Sequence, residues 1–129
     1  MPYTLKVDHQ NRRVTCVGSG VVTMSDIALY ITDRITQGAY DYAQLIDARE
    51  VTIDFPPGES VYAHLMATRR ELKTGAMPPT AIVATQGTAN FGYARQIATQ
   101  LGFAKMPIEV FTNQADAESW LARTETKAL

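Results

Sequence analysis

Residues 81–101 read AIVATQGTANFGYARQIATQL: a short apolar run, a polar turn, then a helical stripe. Ala81 to Ala84 is too short for a helix and carries no polar side chain, so it reads as a strand covered on both faces. Thr88 offers a hydroxyl to the free N–H groups of a helix start. Phe91, Ala94, Ile97, Ala98 and Leu101 then recur along one face, and Gly102 marks the stop. A buried strand that turns at once into an amphipathic helix belongs to a parallel sheet, because the helix carries the chain back to the edge where it began.

The same unit recurs on either side. Downstream, Ile108 to Phe111 is a strand, and Asn113 with Asp116 caps a helix bearing Ala117, Trp120 and Leu121. The tail 123–129 reads as frayed, which leaves one domain over residues 1–122. Upstream, Ala43 to Ala48 (AQLIDA) is a third buried strand, ending near an acid. A connection from Arg49 to Gly58, with Pro56-Pro57-Gly58, leads to a helix marked by Val61, Leu65, Met66, Arg69 and Leu72 and closed by Gly75. At the start, Tyr3, Leu5 and Val7 alternate with polar neighbours, Asp8 to Asn11 is turn chemistry, and Val14, Cys16 and Gly18 resume the alternation through Val21-Val22. Gly18 and Gly20 inside that strand suggest a bulge or a close backbone approach. Thr23 and Asp26 then open a helix whose stripe is Ile27, Tyr30, Ile31 and Ile35, stopped at Gly38. The expected fold is α/β: a mixed sheet of about five strands, an antiparallel hairpin followed by parallel strands, with four helices.

Composition narrows the function classes. A chain of 129 residues with 46% hydrophobic and 19% charged side chains builds one ordinary core. Twelve basic against thirteen acidic residues leave a net charge of -1, without the cationic field that nucleic-acid binding requires. Cys16, the sole cysteine, lies in an alternating apolar stretch and reads as a small buried hydrophobe. His9 and His64 are far apart, so no metal site is read, and no motif calls for a cofactor. The opening MPYTLKVDHQ lacks the pattern of a signal peptide, and no apolar stretch spans a membrane; the expected compartment is the cytoplasm.

The order VVTMSDI (21–27), LIDAR (45–49), AIVATQGTANFGYARQIA (81–98) and IEVFTNQADAESWL (108–121) resembles the SpoIIAA-like fold shared by STAS and CRAL-TRIO domains. More closely it resembles the small bacterial SpoIIAA-like (STAS/SEC14-domain) proteins. The resemblance implies a right-handed β-α superhelix and, from some relatives, lipid or peripheral membrane association. The anti-anti-sigma relatives carry a phosphorylated serine in a D-S-S-G pattern. Here Asp54 is followed by Phe55 and Pro56, so no such switch is expected.

In open α/β sheets, ligands gather beyond the carboxyl ends of the parallel strands, which nominates Asp47 to Arg49, Thr85 to Thr88, and Thr112-Asn113. Asp47 is either a desolvated base or the partner of Arg49, and the second reading is favoured. Residues 87–92 hold two glycines without the following Lys-Ser/Thr of a P-loop, so a turn plus cap explains them. Arg95 is placed to meet an anion or a local acid such as Asp47, and His64 has Glu59 and Ser60 one turn away. Phe55, Val61, Tyr62, Leu65 and Met66 make a broad apolar surface around residues 59–74, flanked by Pro-Gly joints. The leading expectation is a non-enzymatic binding or regulatory module, taking a partner protein or a small amphipathic ligand there. Its site residues are Arg49, Phe55, Tyr62, Leu65, Met66 and Arg95. Two alternatives stay open: a small acid–base hydrolase using Asp47 and His64, and a structural homo-oligomer such as a homodimer.

Overall fold

The computed structural model describes residues 3–55, 59–73, 78–103 and 107–128, with backbone alone at 59, 60, 62, 103 and 125–128. Pro56-Pro57-Gly58 and residues 74–77, the expected joints, lie outside the described residues. The chain runs β1 (Tyr3–Asp8), β2 (Arg13–Val22), α1 (Met24–Thr36), β3 (Ala43–Ile53), α2 (Glu59–Leu72), β4 (Thr80–Val83), α3 (Ala89–Phe103), β5 (Ile108–Phe111) and α4 (Gln114–Ala128). The strands lie in the order β1-β2-β3-β4-β5, with β1 antiparallel to β2 and every later pair parallel. This is the expected mixed sheet with four helices.

Every crossover steps one strand in the same direction, and right-handed crossovers then place all their helices on one face. Partners in a parallel ladder share a face, so Val14, Gln44, Thr80 and Ile108 form one row and Cys16, Ile46, Ile82 and Val110 the next. These rows pack against α1, α2 and α3. The opposite rows, with Leu45, Ala81 and Val83, pack against Ala117 and Leu121 of α4. Because α4 packs on β3, β4 and β5, the outer side of the hairpin around Val17 is exposed.

Local signals account for most element ends. Thr23 and Asp26 make a reciprocal capping box at α1, and Gly38 takes a φ of 70° just past its end. Asn113 accepts from the backbone N–H of Asp116 at 2.9 Å and caps α4. Two expectations need correction. First, β3 extends to Ile53 instead of ending near Ala48, because residues 50–53 pair with Ser19 to Val22. Between Asp47 and Glu50 the strand carries one residue more than β2, a bulge opposite Gly18. The glycines therefore mark the bulge, while the extra residue sits on the neighbouring strand. Second, the buried stripe of α1 ends on Arg34, and Ile35 is exposed. The helix α4 runs to Ala128, and Thr124 Oγ1 donates to the carbonyl of Trp120.

Candidate functional site

The bulge decides which residues meet the covered face. Without it, strict alternation from Ile46 and Ala48 would bring Glu50 and Thr52 inward; with it, Val51 and Ile53 share a face with Gly20 and Val22. Val22, Val51 and Ile53 floor a cavity of about 170 Å³ between the sheet and the first three helices. Ile27, Tyr30, Ile31 and Arg34 of α1 wall it on one side, Ala94, Ile97 and Leu101 of α3 on the other, and Val61 and Leu65 of α2 roof it. The helix α2 packs mainly on α1 and α3. Gly18, Ala48 and Ala94 also line the space and contribute little side-chain volume to fill it.

The few polar groups in this lining are mostly matched to one another. Tyr30 donates its hydroxyl to Gln44 Oε1 at 2.6 Å, Gln44 Nε2 donates to Thr80 Oγ1 at 2.8 Å, and Thr80 donates to the Pro78 carbonyl at 3.2 Å. Burial pushes the Tyr30 hydroxyl above its ordinary range, so it stays a donor at neutral pH. Tyr3 donates to Asp33. Burial pushes the Cys16 thiol up to about 12, which keeps it protonated and unreactive. Asp26 accepts from the backbone and hydroxyl of Thr23 at 2.8 and 3.0 Å. Arg34 is the exception. It is 2% exposed, donates to the Tyr40 carbonyl, and leaves its Nε without a partner among the described residues.

The expected site residues divide. Phe55, Leu65 and Asp47 line the cavity. Arg49 is held at the surface by Asp47, with Nε and Nη2 at 2.9 and 2.7 Å from its two oxygens. These hydrogen bonds hold the Asp47 carboxyl below the usual range, the opposite of what a base poised at neutral pH needs. His64 is half-buried on α2 outside the cavity lining, and no hydrogen bond joins its ring to Asp47 among the described residues. Arg95 stands on the exposed side of α3. Met66 also lies outside the lining, its sulfur 3.6 Å from Arg69 Nη1. The side chain of Tyr62 lies outside the described residues.

The other two nominated strand ends are occupied by capping: Thr88 bonds the Thr85 carbonyl at 2.6 Å, and Asn113 and Asp116 bond each other. Sequence reading missed Arg34, although it sits seven residues after Ile27 on the same helical stripe. Among the described residues no group of three or more His, Cys, Asp or Glu is placed to hold a metal ion, and no helix is long and apolar enough to cross a membrane.

A sequential sheet β1-β2-β3-β4-β5, with three crossover helices on one face and one helix on the other, is the SpoIIAA-like fold. The chain is similar to a crystallised, uncharacterised DUF3478-family protein with that fold from Shewanella loihica PV-4, at a TM-score of 0.54 and 17% identity, over 92% of this chain and 91% of that one. No protein-family model matches the chain, and no curated protein does. At this identity the likeness concerns the fold.

Proposed function

We propose that the protein is a non-enzymatic binding module that takes a small amphipathic ligand between the sheet and helices α1 to α3. The observation that carries this reading is the apolar cavity, since well-packed interiors leave few voids larger than a water molecule. A cavity of about 150 Å³ lined by aliphatic side chains holds benzene, so this space suits one ring or a short acyl segment. Lifting α2, which rests mainly on its neighbouring helices, would admit a longer chain. The pairing of Asp47 with Arg49 and the position of His64 outside the lining favour binding over acid–base catalysis.

Thermal-shift and native mass-spectrometric screens with toluene, short carboxylates, long fatty acids and phospholipids test the proposal. Binding at a hundredfold excess over Kd stabilises the fold by about 2.7 kcal/mol. The small compounds should raise Tm, and Ala94→Leu, which fills the space, should abolish the rise. A screen in which no compound shifts Tm or is retained on the protein ends the binding reading.

A further inference from the structure

We infer that the ligand is a small carboxylate whose apolar body occupies the cavity and whose anion is received by Arg34, an inference that rests on the binding reading above. A guanidinium presents five N–H donors and stays charged, so burying it is costly unless a counter-ion and acceptors surround it. Among the described residues Arg34 has neither in full. Its donation to the Tyr40 carbonyl and its stacking near Tyr30 and Tyr40, 5.5 and 4.9 Å from the ring centroids, compensate only part of its charge. Its Nε is buried without a partner among the described residues.

The described acids of α1 and of the cavity lining have other partners. Asp26 caps α1, Asp33 receives the Tyr3 hydroxyl, and Asp47 holds Arg49. Arg69 of α2, outside the cavity lining, is a second cation near Tyr40. Burial raises the Tyr40 hydroxyl while Arg34 and Arg69 both oppose the rise, and the Arg69 Nε is likewise buried without a described partner. The Tyr30, Gln44 and Thr80 chain satisfies itself, whereas the Arg34 Nε, in the same lining, has no partner among the described residues. A carboxylate matches the planar fork of a guanidinium with two parallel hydrogen bonds. The 170 Å³ behind it leaves room for a phenyl ring or a short acyl chain.

Calorimetric titration of the wild-type protein at pH 7 with benzoate and hexanoate, against benzamide and hexanamide, separates this inference from the general one. Each carboxylate should bind at least about tenfold tighter than its amide, the value of a charged hydrogen bond. Arg34→Met should erase the preference, and Arg34→Lys should keep part of it. Equal binding of acids and amides overturns the role of Arg34 and leaves the cavity reading standing. Binding by none of the four overturns the carboxylate inference, while retention of toluene or a lipid in the thermal-shift and mass-spectrometric screens keeps the cavity reading and its loss there ends both. The wild-type comparison decides the matter even if Arg34→Met fails to fold.

Discussion

Cys16 and Arg34 line the same apolar space. The thiol stays neutral, since its folded pKa of about 12 lies above the ordinary value of 9.0. Its contribution to stability is therefore complete below pH 9 and is lost as the pH rises toward 12. The buried Tyr3 and Tyr30 hydroxyls, also raised, add to the same alkaline loss. At pH 8 a disulfide-exchange reagent should leave Cys16 untouched in the folded protein and modify it stoichiometrically in denaturant; fast modification of folded protein would contradict its burial. Asp47 behaves in the reverse sense. Its carboxyl is lowered by the Arg49 hydrogen bonds, so its contribution is present at neutral pH and is lost as the pH falls through the folded value. The pair is part-exposed, so Asp47→Asn should cost less than about 1 kcal/mol in urea unfolding at pH 7. The reading of Asp47 as the partner of Arg49 was accessible from their spacing. Arg34 escaped because a stripe counted in apolar residues passes over a charge and lands on Ile35, whereas burial follows helical position.

Among the elements, β3 carries the largest difference between expectation and structure. Its first half, Ala43 to Ala48, is mainly apolar, but Arg49-Glu50 breaks the pattern, and period-two reasoning stops there. The break is the bulge itself, after which Val51, Ile53 and Phe55 restart the alternation one residue out of phase. Neighbouring substitutions should therefore differ sharply. Val51→Asp places an unpaired charge in the cavity floor and should unfold the domain or cost several kcal/mol. Thr52→Asp, on an exposed position, should stay within about 0.5 kcal/mol in the same denaturation series. The reverse ranking would show that the strand runs in register without the extra residue. At α1, Thr23→Ala removes one half of a capping box and should cost about 1 kcal/mol, while Thr23→Ser should be close to neutral.

Across the whole molecule, strand direction and helix placement followed from three short apolar runs, each leading into a periodic helix. A parallel sheet built that way admits few arrangements. The hollow beneath α1 to α3 was less legible, because a cavity depends on the volume left by Gly18, Ala48 and Ala94 after packing, and on the phase change at the bulge. The two faces of the sheet therefore make opposite demands: α4 fits closely on Leu45, Ala81 and Val83, whereas the opposite face retains about 170 Å³ of space. Methyl NMR spectra recorded during titration with hexanoate examine that contrast directly. Saturable shifts should appear at Ile46, Ile82, Ile97, Val61 and Leu65, with Val83 and Leu121 unmoved. Shifts confined to the α4 side, or none at saturating hexanoate, would contradict a ligand-binding hollow beneath the crossover helices.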